Sequence, residues 1–151
     1  MYVWRIARAV YAPLDGEGAR RAGGRWNSAG QPAVYAGGTQ ALAILETLIH
    51  LDPDLLPRDY TLFRIEIPDD VAMTIVEGTA LPSDWRKPGH TACKAIGDQW
   101  LQTEETAVLR VPAAPLHDGD EYGYVINPRH RECDRIIVVQ REPFSFDLRL
   151  V

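Results

Sequence analysis

The alternation of apolar and polar residues is clearest in Tyr60–Ile67, where the period of two predicts a β-strand. Shorter runs that are rich in β-branched and aromatic residues predict further strands. These are Tyr2–Arg8, Ala33–Ala36, Val71–Val76, Thr106–Val111, Tyr122–Asn127, Arg135–Gln140 and Phe144–Leu148. The chain therefore carries many short strands, distributed along its whole length.

Two stretches space their apolar residues as a helix does, Gln40–Leu51 and Thr91–Thr103. Thr39 is a suitable N-cap for the first helix. We expect Asp52-Pro53 to end that helix, because a proline disfavours helical geometry in the residue before it. Tyr11–Gly30 is rich in glycine and arginine and has no clear period, so it predicts a long loop.

Many short strands with two main helices predict a mixed α+β fold, in a single domain over residues 1–151. The net charge of −5 argues against a general nucleic-acid binder, which is normally basic. No apolar run reaches the ~18–20 residues that a membrane span needs. The two cysteines lie far apart, which is typical of a reducing compartment. We therefore expect a soluble cytoplasmic protein that contacts neither a membrane nor nucleic acid directly.

Glu46 is the most unusual acid of the sequence, because the predicted helix around it is apolar over most of its circumference. From Thr39 to Leu51 the only other ionisable side chain is His50. A solvent-facing carboxylate is the common interpretation of a single acid on a helix. The alternative is a functional acid in a pocket, since ionised carboxylates are rarely buried unless they are paired.

Arg25 follows the glycine pair Gly23-Gly24 and precedes Trp26. Glycines let the backbone approach an anion closely, and a guanidinium offers a planar fork of donors to it. The alternative is a surface arginine that stacks on the indole. The glycine pattern matches neither the dinucleotide fingerprint nor a P-loop, so it indicates an anion site without specifying the ligand.

Tyr35 and Arg5 both fall in predicted strands and each has two interpretations. Tyr35 is either a core tyrosine or an aromatic wall of a pocket, and Arg5 is either an edge-strand cation or a pocket ligand. The four histidines have no metal-type spacing, and neither a Gly-x-Ser-x-Gly elbow nor a cysteine–histidine pair is present. The residues alone thus indicate an anion-binding pocket with one acid and no metal.

Several segments resemble, in order, the RES-domain family. They are Tyr2-Val3-Trp4-Arg5-Ile6, Gly24-Arg25-Trp26-Asn27, Gly30, Pro32, Tyr35, Ala43-x-x-Glu46, Val111-Pro112 and Asn127-Pro128-x-His130. The family is named for an arginine, a glutamate and a serine, and its members are the toxin halves of bacterial toxin–antitoxin pairs. The resemblance covers nearly the whole chain.

The resemblance implies an ADP-ribosyltransferase-like fold and NAD as the substrate. Some members degrade NAD by hydrolysis or phosphorolysis, whereas the ParT-like toxins transfer ADP-ribose to phosphoribosyl-pyrophosphate synthetase. The partner implied is a small antitoxin with an Xre-like helix-turn-helix, which blocks the active site in the complex. A protein target for ADP-ribosylation is the second implied partner.

The resemblance also implies the site residues. Arg25 and Glu46 match the arginine and the glutamate of the family, and Arg5 and Tyr35 match positions that line its pocket. Ala113 stands where the family places its serine, just after the Val-Pro pair. The missing hydroxyl departs from the family pattern. The cofactor-binding set implied is Arg5, Arg25, Asn27, Ser28, Tyr35 and Ala113, in which Ser28 is a candidate substitute for the missing serine.

Cleavage of the nicotinamide–ribose bond builds positive charge on the ribose, as glycoside hydrolysis does. We expect Glu46 to stabilise that charge, Arg25 and Arg5 to bind the pyrophosphate, and Tyr35 to stack on nicotinamide. Glu46, Arg25 and Tyr35 are therefore the predicted catalytic set. The alternatives are a catalytically weakened module that binds NAD or an antitoxin, and an unrelated α+β phosphate-binding protein.

Overall fold

The computed structural model describes residues 1–52, 59–117 and 119–151. One seven-stranded sheet and three α-helices form the described fold. The strands are β1 (Tyr2–Arg8), β2 (Val34–Gly37), β3 (Tyr60–Glu66), β4 (Met73–Ile75), β5 (Val108–Pro112), β6 (Tyr122–Ile126) and β7 (Ile137–Phe144). The helices are α1 (Glu17–Ala22), α2 (Gln40–Ile49) and α3 (Thr91–Thr103), and 3-10 turns cover Gly78–Ala80 and Cys133–Arg135.

The strand order is β4-β5-β6-β2-β1-β3-β7, and every pair is antiparallel except β4 with β5. β1 follows β3 in continuous register from Tyr2 opposite Glu66 to Arg8 opposite Tyr60. β1 meets β2, in contrast, only where Trp4 lies opposite Gly37. The sheet therefore consists of two well-paired parts, β4-β5-β6-β2 and β1-β3-β7, which are joined at a weakly paired seam.

α2 bridges this seam, since it packs against both β1 and β2. Thr39 caps it as predicted, and its Oγ1 accepts a hydrogen bond from the Leu42 N–H at 3.1 Å. Gly37 permits the tight turn into the helix, because a Cβ there would lie 2.9 Å from the Ala43 nitrogen. The sequence thus places the helix that carries Glu46 directly over the junction of the two parts of the sheet.

Two apolar clusters lie on opposite faces of the sheet, as the alternation along β5 and β6 requires. Val108 and Ile126 belong to the cluster that also contains Val3 and Ile65. The intervening residues Leu109 and Val125 belong to the other cluster, together with the indoles Trp26, Trp85 and Trp100. α3 closes this second face with its buried residues Cys93, Gly97, Trp100 and Leu101.

The α+β prediction is confirmed, with three local corrections. The predicted loop Tyr11–Gly30 contains α1. This helix has no buried residue, so its sequence shows no apolar period from which it could be predicted. In place of the two strands predicted at Arg135–Gln140 and Phe144–Leu148 there is one strand, β7, which ends at Phe144, and residues 145–148 are not in a strand. Pro143 is tolerated in β7 because this is the last strand of the sheet. α2 ends at Ile49, before Asp52, and Pro53 lies outside the described residues.

Candidate functional site

The residues Gly24–Asn27 form a tight turn in which the Gly24 N–H donates to the Asn27 carbonyl at 2.9 Å. Gly24 cannot be replaced without movement, since a Cβ would lie 2.6 Å from the Tyr35 hydroxyl oxygen. This turn presents Arg25 at its corner. Gly24 therefore allows the turn to lie close to Tyr35 on β2.

Tyr35 anchors the turn from β2 through its hydroxyl group. The oxygen accepts from the Trp26 N–H at 2.9 Å, and the hydroxyl donates to Asn27 Oδ1 at 2.6 Å. Burial raises the pKa of the Tyr35 hydroxyl above its usual value, so the side chain stays neutral. With both hydrogen bonds made, the phenol is fixed in one orientation.

Asn27 is fully buried, and its Nδ2 donates to the carbonyls of Ala19 and Gln31 at 2.9 Å each. Ser28 donates from its N–H and from its hydroxyl to the carboxylate of Asp98 on α3, at 2.8 and 2.5 Å. Both side chains therefore build the loop. Their contact with a nucleotide stays a prediction.

Arg25 reaches across to a second turn and donates to three consecutive backbone carbonyls. Its Nη1 lies 2.7 Å from the Trp85 oxygen and 3.1 Å from the Lys87 oxygen, and its Nη2 lies 3.1 Å from the Arg86 oxygen. A guanidinium has five N–H donors, and these bonds use three of them. Arg25 thus ties the Gly24–Asn27 turn to the turn at 85–87.

Glu46 lies half-buried on α2, and among the residues that the structure describes it has no hydrogen-bond donor. Burial raises the pKa of its carboxyl above the usual value, while the charges of His50 and Arg25 oppose that rise. Glu46 and Arg25, predicted from separate motifs, are therefore electrostatic neighbours. The carboxylate has its lone pairs available for a ligand.

Arg5 occupies the seam between β1 and β2. Its Nη1 donates to the Tyr35 carbonyl at 3.0 Å, and its buried Nε has no hydrogen-bond partner among the described residues. Burial lowers the pKa of the Arg5 guanidinium, and the charge of Asp15 acts in the opposite direction. A desolvated cation with an unused donor is a suitable ligand for an anion.

Ala113 follows β5 and is 6% exposed. Its carbonyl accepts from the Leu116 N–H at 3.2 Å, in a turn that Arg86 holds by donating to the Leu116 oxygen. Arg86 in turn offers its own backbone oxygen to Arg25. The 85–87 and 113–116 turns are therefore linked to each other and to Arg25, and the guanidinium carbons of Arg25 and Arg86 lie 5.8 and 4.7 Å from the centre of the Trp85 ring.

Hydrogen bonds thus connect Arg5, Tyr35 and the turn that carries Arg25, and the charge of Arg25 acts on the Glu46 carboxyl. Sequence reasoning did not identify three residues that hold this region together: Trp85 accepts from Arg25, Arg86 donates to Leu116, and Asp98 accepts from Ser28. Arg86 and Asp98 lie in a turn-rich stretch and on a helix, respectively, and no local motif marks either of them. Among the described residues no group of three histidine, cysteine or acidic side chains could hold a metal ion. No helix among them is long and apolar enough to cross a membrane.

The fold and the candidate site define the class of protein, an α+β domain with one mixed seven-stranded sheet and a lone acid on the helix that packs against β1 and β2. A solved toxin has the same kind of fold: the chain is similar to one in the crystal structure of the M. tuberculosis MbcT-MbcA toxin-antitoxin complex. The TM-score is 0.78 over 95% of this chain and 84% of that chain, at 22% sequence identity. This likeness establishes the fold.

The sequence model of the RES domain matches residues 2–147, and the chain belongs to the RES-domain family. It is 36% identical to a protein named Toxin Res from Photorhabdus laumondii subsp. laumondii, over 100% of this chain and 97% of that protein. It is 37% identical to a Prs ADP-ribosylating toxin from Sphingobium sp., over 98% of this chain and 95% of that protein. The resemblance found from the sequence motifs is confirmed.

Proposed function

We propose that this chain is the toxin of a toxin–antitoxin pair and that it cleaves NAD at the nicotinamide–ribose bond. In the proposed reaction ADP-ribose passes to a protein target such as phosphoribosyl-pyrophosphate synthetase. The observation that carries the proposal is the half-buried Glu46 carboxylate of a RES-domain chain, which accepts no hydrogen bond from another described residue and on which the charge of Arg25 acts. The similarity to a Prs ADP-ribosylating toxin supports the choice of reaction.

Glu46 would act on the charge that develops at the ribose. As nicotinamide leaves, the ribose ring becomes an oxocarbenium-like cation. A carboxylate that is partly removed from water stabilises such a cation more strongly than a solvated one, because the local dielectric is lower. Glu46 has to be ionised for this role.

The two arginines would divide the work of binding the pyrophosphate. Arg5 has an unpartnered buried Nε and donates only one hydrogen bond to another described residue, so most of its donors remain for phosphate oxygens. Arg25 donates three hydrogen bonds to the 85–87 turn and its side chain also interacts with the Cys93 thiol, so fewer of its five donors remain. We therefore assign the main phosphate contact to Arg5 and a shared orienting and binding role to Arg25.

Tyr35 would offer its ring to the nicotinamide. Its hydroxyl is held by Trp26 and Asn27, so the ring plane is set before the substrate arrives. Stacking of an aromatic ring on the cationic nicotinamide is worth roughly 0.5–2 kcal/mol. Preorganisation of this kind reduces the entropy that binding would otherwise cost.

An antitoxin is the proposed partner, because the similar solved structure is a toxin–antitoxin complex. We propose the Xre-like helix-turn-helix type, as the family resemblance implies. We also propose the cytoplasm as the site of action, since the two cysteines of the chain are free thiols.

The proposal is tested by mixing the purified protein with NAD and following free nicotinamide. Glu46→Gln keeps the shape of the side chain and removes its charge, and we expect the rate to fall by about 10²–10³-fold. Glu105→Gln is the matched control, since Glu105 is exposed beyond the end of α3. Equal rates for the parent and Glu46→Gln would refute the assignment of Glu46. Labelled NAD then identifies the acceptor as protein, water or phosphate.

Ala113 supports a second candidate function, a catalytically weakened module that binds NAD or an antitoxin. The methyl group is buried at the position where the family has a serine, and it supplies no hydroxyl. Ala113→Ser distinguishes the two. A weakened enzyme should gain nicotinamide release, whereas a binding module should bind NAD in a thermal-shift measurement and release nothing in either form.

A further inference from the structure

Asp98 is an acid on α3 whose hydrogen bonds lead to the arginine turn. Its Oδ1 accepts from the Ser28 N–H at 2.8 Å and its Oδ2 accepts from the Ser28 hydroxyl at 2.5 Å. No cation forms an ion pair with it among the residues that the structure describes. The carboxylate therefore serves a single residue of the loop, 70 positions earlier in the chain.

The neighbouring residue Gly97 brings α3 and the turn into backbone contact. A Cβ at Gly97 would lie 1.7 Å from the Trp26 carbonyl oxygen, so the helix would have to move to admit any side chain there. The helix and the turn thus meet at one closely fitted point, and the Ser28–Asp98 hydrogen bonds lie beside it. Together they leave the turn little freedom to slide along the helix.

This turn carries Arg25, three residues before Ser28 in the sequence. The Arg25 guanidinium reaches the carbonyls of the 85–87 turn at 2.7 to 3.1 Å, and its charge acts on Glu46. Hydrogen bonds of that length require the backbone of the turn to stay in place. A displacement of Ser28 would therefore be passed on to Arg25.

We infer that Asp98 is a positioning residue: through Ser28 it fixes the Gly24–Asn27 turn, and so holds Arg25 against the carbonyls of the 85–87 turn. The consequence for catalysis rests on the proposed NAD cleavage, but the placement of Arg25 does not. The bonds from the serine N–H and hydroxyl are stronger than neutral contacts, since hydrogen bonds to an ionised acceptor are worth about twice as much. A misplacement of about 1 Å can lower the rate of an enzyme about 10²-fold.

The test is the pKa of the Glu46 carboxyl, measured by carbon NMR on protein with labelled glutamate. Burial raises this pKa in the parent, while the charges of His50 and Arg25 lower it. If Asp98→Ala releases the turn, Arg25 moves away and the pKa of Glu46 rises. Simple loss of the Asp98 charge has the opposite sign, because removing a negative charge lowers the pKa of a nearby acid. The direction of the shift therefore separates the two effects.

Asp98→Asn is the charge control, since it removes the charge and keeps an acceptor for the Ser28 N–H. Its Glu46 pKa should stay at or below that of the parent. Gln99→Ala, at the exposed next position of α3, should change nothing. A Glu46 pKa that is unchanged or lowered in Asp98→Ala would overturn the inference.

Nicotinamide release by the same variants tests the consequence. We expect kcat/KM to fall by about tenfold or more in Asp98→Ala and by a smaller factor in Asp98→Asn. A parent protein that releases no nicotinamide would refute the proposed function, while the shift at Glu46 would still decide the role of Asp98. An active parent with a raised Glu46 pKa and unchanged kcat/KM in Asp98→Ala would overturn the catalytic consequence.

Discussion

Glu46 combines three properties that are uncommon in one residue. It is half-buried, no hydrogen bond from another described residue stabilises its charge, and the opposing charges that act on it come from His50 and Arg25. Such a carboxylate is unfavourable for the folded state when it is ionised, and it is available for chemistry. Perturbed acids of this kind are found disproportionately at functional sites.

The first prediction concerns the pH dependence of NAD cleavage. Because burial raises the pKa of Glu46 above its ordinary value of 4.5, the carboxylate needed for catalysis forms at a higher pH than in an exposed glutamate. The rate should therefore increase as the pH rises through that raised pKa. Nicotinamide release measured between about pH 4 and 8 checks this. A profile that is flat across the range would contradict the role given to Glu46.

The second prediction concerns stability at the same residue. The folded-state pKa of Glu46 is raised, so between the unfolded and folded pKa values the folded state binds more protons, and stability falls as the pH increases. Glu46→Gln removes this penalty. We expect its Tm to exceed that of the parent by about 1–3 °C near neutral pH, and the difference to shrink in acid. Calorimetry of both proteins at about pH 4 and pH 7 tests this, and a lower Tm of the variant at neutral pH would contradict it.

At the scale of the elements, α3 has a dual task, since it fills the second apolar cluster and contacts the arginine turn. Gly97 is the point where the helix touches the Trp26 backbone, because only a residue without a side chain fits there. In an isolated helix a glycine is unfavourable by about 1 kcal/mol relative to alanine. Its presence in the middle of α3 is explained by the close approach.

We therefore predict that Gly97→Ala destabilises the protein by about 1–3 kcal/mol, because overpacking against Trp26 outweighs the gain in helix propensity. Gly18→Ala is the matched control. Gly18 also lies in a helix, but a Cβ added there would meet nothing within 4 Å beyond the local backbone, so this change should be neutral or stabilising. Urea unfolding of both variants measures the difference. Similar free energies of unfolding would contradict the packing argument.

The elements also define how much the sequence could predict. The bounds of α3 and the Thr39 cap follow from local spacing and were predicted correctly. α1 was missed because it buries no residue and relies on local contacts, such as the hydrogen bonds from Arg20 Nε to Glu17. An apolar period can predict a helix or strand only when that helix or strand buries one of its faces.

The candidate site also contains one part that the sequence could predict and one part that it could not. Arg25, Tyr35 and Glu46 lie within one short stretch, so a motif could bring them together. The carbonyls that bind Arg25 lie about 60 residues later, and the acid that binds Ser28 lies 70 residues later. Those contacts depend on the path of the whole chain, and no spacing rule indicates them. Asn27 and Ser28 were predicted to bind the cofactor. Asn27 instead donates to a backbone carbonyl of the same loop region, and Ser28 donates to Asp98, which is distant in the sequence.

At the scale of the whole molecule, the proposed site includes Arg5, which lies at the shortest strand pairing of the sheet. β1 and β2 share one register position, and Arg5 donates a single hydrogen bond to the Tyr35 carbonyl. The helix α2 packs against both strands, and so supports the sheet where its own pairing is shortest.

The last prediction follows from the position of Arg5 in this seam. Its buried Nε is unpartnered among the described residues and burial lowers its pKa, so the guanidinium is an unfavourable group for the folded protein. Arg5→Met keeps much of the apolar stem, removes the desolvated charge, and loses one hydrogen bond worth about 0.5–1.5 kcal/mol. We expect the free energy of unfolding to stay within about 1 kcal/mol of the parent or to increase, while NAD affinity is lost. Arg8→Met, at the exposed end of β1, is the control for charge.

Calorimetric titration with NAD and urea unfolding separate the effect of Arg5→Met on binding from its effect on stability. A strongly destabilised Arg5→Met protein would mean that Arg5 holds β1 and β2 together. Retained NAD affinity would mean that the pyrophosphate does not bind at this seam.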